Sequence, residues 1–594
     1  MKAGACARHQ LAFAVAVGLA GALVLVAPAA PPGLALAGVA LGLGSCQLVA
    51  GTGLALVSRR ADLGHWAAAC GVLGFAAASR VHVAFFGVGL DGDTLGLALD
   101  ALRAREVVVP PRWLALAGLG GVLGGAACGL LLAACRRVFG AQPVPLPRVA
   151  LGAALAGALA LAEPLPADGP LRELVPWSAA RADEFAAYAV RDARGDVVHL
   201  DPDESSRDSA ALAREKERLL AGARIERPRD VVMIVLESFR WDLVSEEGTP
   251  YLARLGERCL HPELHYASGA NTLAGLFGLL HGLSMFHFPG VKESLQQPLP
   301  LALLGRLGYE RRLYRGFDLA YTELGERFFE GTIDRDVAEP GGDAVRADAA
   351  LVEQLLRLRR AGAGPRFDLL VLYATHWGYV YPPAFERFLP VAPPDLPLGN
   401  ATGASPLRAW AEGLKNRQRN AAAYLDSLLG PLLEQLAAEA EPPLVVVTGD
   451  HGEEFFERGR LGHTWDVNDE MVRVPLWICL PEPARTRYRY ADHTDVFPTL
   501  FDALGVEPTG GAFLTGKSLL RYEPARDFAL SGVPRRRARL RMAVAGDGLK
   551  VHFLPFGALQ PTAILGLADQ PLPEAPRERV VDLLRRAAEQ RRIR

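Results

Sequence analysis

Three stretches of the sequence are apolar without interruption and then stop at a group that carries chemistry: "VVMIVLES" ends at Glu237, "LLVLYATH" at His376, and "LVVVTGDHG" at Asp450 and His451. A strand with no polar alternation is covered on both faces, which is the signature of a parallel sheet between two layers of helix. Helical segments such as "TPYLARLGERC" and "AAAYLDSLLGPLLEQLAAEA" alternate with these strands. The second part of the chain is therefore expected to be an α/β domain with a mostly parallel central sheet. In such sheets ligands bind outside the carboxyl ends of the strands, where Glu237, His376, Asp450 and His451 all fall. A carboxylate at the end of a buried strand is costly unless something cationic meets it.

Glu, Asp and His are the ligands that a divalent cation such as zinc or manganese accepts when no thiolate is at hand. Glu237, Asp450 and His451 can supply three positions, and hydrolases commonly fill the next with the nucleophile. In "ASGANTLAGLFGLLHGLS" a small polar turn, Gly269 to Thr272, precedes an apolar helix. Thr272 is thus expected at a helix N-terminus, where backbone amides favour an anion. A hydroxyl there, bound to a metal, becomes a nucleophile toward phosphorus or sulfur. The bland alternative is that Thr272 only caps the helix.

The first part of the chain has a different character. Half of the 594 residues are hydrophobic, and from residue 1 to about 168 the apolar ones form runs long enough to cross a bilayer. Five spans are expected near 11–30, 34–57, 65–89, 113–135 and 149–166, giving an N-terminal α-helical transmembrane bundle. Lys2, Arg8, Arg59, Arg60, Arg136, Arg137 and Arg148 share one side of the membrane if there are five spans. The positive-inside rule makes that side cytoplasmic and places everything after about residue 168 outside. Arg80 and His82 lie within the third span, where an ionisable group either serves a function or snorkels to the interface. Residues 169–228 read as a linker with a short amphipathic helix, and 229–594 as the outer domain. The formal net charge of −2 gives no electrostatic footprint for a nucleic acid. Outside the spans only Cys259 and Cys479 remain. Two isolated cysteines read as core residues rather than a disulfide framework or a thiolate zinc site, with a single disulfide between them left open.

The order "VVMIVLESFRWD", "TPYLARLGERC", "SGANTLAGLFGLLHGL", "VVVTGDHGEEF", "LGHTWD", "RVPLWICLP" and "HTDVFPTL" resembles the sulfatase-like branch of the alkaline phosphatase superfamily. It is most similar to the membrane-anchored members: lipoteichoic acid synthases, phosphoethanolamine transferases and inner-membrane sulfatase-like proteins, over residues 229 to about 560. The resemblance implies an alkaline phosphatase type of α/β domain with one divalent metal ion (Mn, Mg or Zn) held by Glu237, Thr272, Asp450 and His451. It implies Thr272 as nucleophile and His376 and His463 as further catalytic or substrate-binding groups, while His493 and Asp495 would pack beside the site.

Two departures narrow the expectation. No C/S-x-P-x-R motif is present for formylglycine maturation, which disfavours sulfuric ester hydrolysis despite the family name. The stretch "LYRGFDLAYTELG" offers Arg315 and Phe317 in an order unlike that of the lipoteichoic acid synthases. The sequence thus points to a metal-dependent phosphotransferase or phosphodiesterase acting on phosphate esters of lipid or glycan head groups. It would sit in a bacterial inner membrane as a multi-pass protein, with its catalytic domain on the periplasmic side and a membrane lipid or lipid-linked substrate as its partner. The competing expectation is a non-catalytic lipid-binding sensor on the same fold. Oligomeric state is left open.

Overall fold

Val231–Leu236, called β1, is buried at every residue, and each such side chain withdrawn from water contributes about 1.5–3 kcal/mol relative to exposure. A computed structural model of the chain describes residues 188–200 and 209–590. Within these it leaves out 290, 292–296, 320–327, 340–342, 361–363, 397, 404, 508–513, 536–538, 556 and 573. The five expected spans, with Arg80 and His82, lie outside the described residues. Among the described residues no helix is long and apolar enough to cross a membrane.

β1 lies at the heart of a six-stranded sheet whose other members are β2 (Glu310–Arg315), β3 (Arg335–Ala338), β4 (Arg366–Leu372), β5 (Leu444–Gly449) and β6 (Leu476–Cys479). The strand order is β6-β5-β1-β4-β2-β3. All pairs are parallel except β6 with β5. Because β1 sits between β4 and β5, residues distant in sequence finish side by side: Leu236 pairs with both Leu372 and Gly449. The next residues, Glu237, Tyr373 and Asp450, are therefore neighbours at one edge of the sheet.

Side chains alternate across a strand, so β1 feeds two cores. Met233 and Val235 pack with Phe367, Leu369 and Val446 toward α2 (Thr272–His281) and α5 (Val496–Leu504). Val232, Ile234 and Leu236 pack with Leu370, Leu372 and Val447 toward α3 (Ala344–Arg360) and α4 (Ala411–Ala437). Downstream, Phe528–Arg535, Arg539–Gly546, Leu549–Phe553 and Pro561–Gly566 form a four-stranded antiparallel sheet, against which α6 (Arg577–Glu589) packs. No sequence signal used above separated this sheet from the main one.

The amphipathic pattern before residue 228 corresponds to a helix, α1, over Ser209–Gly222. The described residues around it join the domain: His199–Leu200 pairs with Gly557–Ala558, and Arg224–Ile225 with Val506–Glu507. The reading of Cys259 and Cys479 as separate core residues is corrected: they form a disulfide. Leu260 and Ile478 exchange two backbone hydrogen bonds of 2.9 Å, which sets the preceding Cys259 and following Cys479 against one another across the sheet edge.

Candidate metal centre

Glu237 follows β1 with no exposed surface. Its own amide donates to the Leu372 carbonyl at 3.0 Å, and its carbonyl accepts from the Thr375 hydroxyl at 2.6 Å, so the backbone is fixed from the β4 side. The next residue, Ser238, is buried with φ 55°, a left-handed conformation rare for a residue with a side chain. That twist turns its amide onto Asp450 Oδ1 at 2.9 Å. The amide of His451 donates to the same oxygen at 2.8 Å. Two acids from adjacent strands are thereby held face to face.

Thr272 opens α2 at its first helical position, and the cap is not Thr272 but Asn271, whose side chain accepts from the Ala274 amide at 2.8 Å. The Thr272 hydroxyl is free to point elsewhere and donates to Glu237 Oε1 at 2.9 Å. His451 Nδ1 lies 2.8 Å from the Gly452 carbonyl, which can only accept, so Nδ1 carries a proton and Nε2 faces the cluster. His451 Nε2 is 3.2 Å from Glu237 Oε1, 3.4 Å from Asp450 Oδ2 and 3.5 Å from Thr272 Oγ1. Ligand atoms of Glu237, Asp450 and His451 all lie within 4.8 Å of one another.

These groups perturb each other strongly. Burial works to raise the Glu237 carboxyl, but the His451 hydrogen bond and charge outweigh it and hold it well below its usual range. Burial and the Glu237 charge push Asp450 well above its range. For His451 burial is outweighed by Asp450 and Glu237, and the imidazole is pushed up to about 10. Among the described residues Glu237 Oε2 and Asp450 Oδ2 are buried with no hydrogen-bond partner, a cost of about 1–3 kcal/mol or more each unless something satisfies them. A divalent cation held by these oxygens and His451 Nε2 removes that cost, and the donor set fits one.

His376, at the end of the β4 loop, lies among rings: Tyr373 at 4.3 Å, Trp377 at 5.7 Å and His463 at 6.3 Å between centroids. Burial pushes its imidazole down to about 4. His463 comes from the chain after the short strand Arg460–Gly462, and its ring is 4.5 Å from that of His451. All six expected site residues thus converge at one edge of the sheet. His493 and Asp495 lie beneath it: His493 nitrogens are 3.0 Å from the Gly275 and Gly449 carbonyls, and Asp495 pairs with buried Lys517 at 2.8 Å. Arg315 pairs with Asp336 on the neighbouring strand at 2.6 Å, and Phe317 stacks on Tyr373.

Sequence reasoning passed over four contributors. Trp377 lies 5.1 Å from His463, Glu453 hydrogen-bonds it, and Ser238 and Gly275 set the spacing of the ligands. Glu453 stands inside "GDHGEEF", but its partner is His463, ten residues on, which local spacing does not announce. The conformation of Ser238 had no sequence signal.

The profile of the Sulfatase family matches residues 229–506. These residues form a sulfatase-family domain. An uncharacterized protein from Haemophilus influenzae is 21% identical over 338 residues, 56% of this chain and 50% of that protein, so the chain spans about half the length of this curated relative. Among solved structures, a phosphonate monoester hydrolase from Silicibacter pomeroyi is 17% identical with a TM-score of 0.47, covering 61% of this chain and 94% of that one. The C-terminal periplasmic domain of EcEptC from Escherichia coli, in complex with Zn, is 17% identical with a TM-score of 0.43, covering 53% and 94%. The lipoteichoic acid synthase LtaP from Listeria monocytogenes is 13% identical with a TM-score of 0.44, covering 64% and 96%.

Proposed function

We propose that this sulfatase-family protein is a metal-dependent phosphotransferase or phosphodiesterase that acts on phosphate esters of lipid or glycan head groups at the outer face of a bacterial inner membrane. One observation carries the reading: the Thr272 hydroxyl, at a helix N-terminus, meets Glu237, Asp450 and His451 where two buried carboxylate oxygens lack partners among the described residues. Glu237, Asp450, His451 and Thr272 would hold one divalent ion (Mn, Mg or Zn). Bound there, the ion supplies Lewis-acid stabilisation of phosphate charge and lowers the pKa of the hydroxyl.

The rest is done by the chain. Thr272 Oγ1 attacks phosphorus; the new O–P bond forms as the bond to the leaving oxygen breaks. The hydroxyl proton has an acceptor in Glu237 Oε1 at 2.9 Å. First-turn amides of α2 that lack intrahelical partners face the developing equatorial charge. His376 or His463 protonates the leaving oxygen, and an acceptor hydroxyl or water then takes the phosphoryl group from the threonine. The Cys259–Cys479 disulfide supports an extracytoplasmic domain, since such bonds persist in oxidising compartments. The apolar runs before residue 168 support anchoring by multiple spans, close to a lipid-linked substrate.

Thr272→Ala is expected to leave folding intact and abolish turnover of a generic phosphodiester such as bis(p-nitrophenyl) phosphate by the metal-loaded full-length protein. Unchanged turnover refutes the nucleophile. Wild-type protein that binds no divalent metal and turns nothing over points instead to the lipid sensor.

A further inference from the structure

Glu453 has no exposed surface, follows the ligand His451 by two residues, and has no part in the chemistry described above. Its Oε1 lies 3.1 Å from His463 Nδ1. Its backbone is pinned separately: the guanidinium of buried Arg240 donates to the Glu453 carbonyl at 2.7 Å, while two acids, Asp242 and Glu457, balance the arginine at 2.7 Å each. On the other side stands the fully buried Tyr379, held at φ 44°. The backbone that carries the carboxylate is thus fixed independently of the histidine. His463 in turn leans on His451 at 4.5 Å and on Trp377 at 5.1 Å between centroids.

From this geometry we infer that Glu453 is a positioning residue that locks His463 in the Nδ1–H form and directs Nε2 to the reacting phosphate. The inference rests on the proposed phosphoryl-transfer reading and deepens it: the Nε2 lone pair of His463 is the base that takes the proton of the acceptor hydroxyl or water as the phosphoryl group leaves the threonine. A carboxylate can only accept, so the proton it meets must be on Nδ1. A neutral imidazole in water prefers its proton on Nε2. Without an acceptor at Nδ1, the ring would turn a donor rather than a lone pair toward the site. Among the described residues no carboxylate is hydrogen-bonded to His376, which lies among the rings of Tyr373, Trp377 and His463 with the charges of Glu237 and Glu453 near it. The arrangement is that of a carboxylate orienting a working histidine, in which the acid holds the tautomer and does not itself take the proton.

The test uses full-length, zinc-loaded protein labelled with 15N in the histidine rings, the His463 signal being identified by its loss in His463→Gln. Wild type is expected to show protonated Nδ1 and unprotonated Nε2 at His463, and Glu453→Ala to shift the proton to Nε2. Glu453→Gln, which keeps the volume in case the alanine variant misfolds, is expected to lower kcat on the phosphodiester about 10- to 100-fold, with KM within twofold. An Nε2–H tautomer in wild type overturns the inference, as does wild-type kcat in Glu453→Gln. These outcomes are separable from failure of the functional reading: unchanged turnover in Thr272→Ala removes the nucleophile yet leaves the His463 tautomer as observed.

Discussion

Helix α2 reaches the metal centre only because residue 275 has no side chain. A Cβ built on Gly275 would lie 2.1 Å from the Asp450 carbonyl oxygen, so it falls short of van der Waals contact by roughly 1 Å or more. The opposing atom is backbone, in a segment already fixed by Ser238 and His451, and it has no rotamer through which to yield. In Gly275→Ala the first turn of α2 must therefore retreat, taking Thr272 with it. Forcing a methyl into such a contact costs about 1–3 kcal/mol, and a nucleophile displaced by about 1 Å loses on the order of 100-fold in rate. The expected phenotype is a folded protein of lowered Tm with kcat on the phosphodiester down by about two orders of magnitude. Gly282, at the opposite end of the same helix with φ 65°, serves as the control. There an alanine pays about 1 kcal/mol of backbone strain and meets only the tip of Leu514, far along the helix from the hydroxyl. Gly282→Ala is expected to lose stability and keep its rate. Wild-type kcat in Gly275→Ala, or equal rate losses in both variants, refutes the claim that backbone contact sets the position of Thr272.

Two further measurements address stability. Asp348, on α3, accepts three contacts from the Tyr373 and Ala374 amides below His376, and burial pushes its carboxyl up to about 7 despite them. The folded state therefore binds more protons than the unfolded one between about pH 4 and 7, and this group's contribution to stability falls as pH rises through that window. Asp348→Asn should show a flatter Tm against pH between 5 and 7.5, and parallel curves for the two proteins would contradict it. The Cys259–Cys479 bond closes a loop spanning 220 residues, so the chain-entropy argument gives roughly 5 kcal/mol as an upper figure for its removal. Cys259→Ser with Cys479→Ser should lower the denaturant midpoint clearly, and coincident midpoints would count against the bond.

Much of this centre is legible from residue order, because a parallel sheet converts strand ends into a site. Once β1, β4 and β5 are read as unbroken apolar runs, Glu237, His376, Asp450 and His451 can only finish on one edge. The helix start at Thr272 was readable for a similar reason, since small residues before an apolar run mark a terminus. What escaped depends on contacts between distant segments. The cysteine pair needed the Leu260–Ile478 bridge, which no local pattern announces. The antiparallel sheet after residue 528 lies outside the motif-bearing part, and its strands carry no chemistry to draw notice. Gly275 looked like any small residue in an apolar helix, and its necessity appears only when the Asp450 carbonyl is set beside it.

His493 gives the centre a mechanical property. Its ring spans two carbonyl oxygens, one belonging to the helix that presents the hydroxyl and one to the strand that presents the acid. The neutral ring has one N–H, which serves the Gly449 carbonyl while Nδ1 accepts from the Ser268 amide, so the ring ties down the acid-bearing strand and the Gly275 contact seats the helix against it. Hydroxyl and acid are thus set by backbone packing, whereas Tyr373, His376 and Trp377 line the site through their side chains. On the proposed reading, remodelling Tyr373 and Trp377 should alter what the protein accepts, while His376 stays with the reaction.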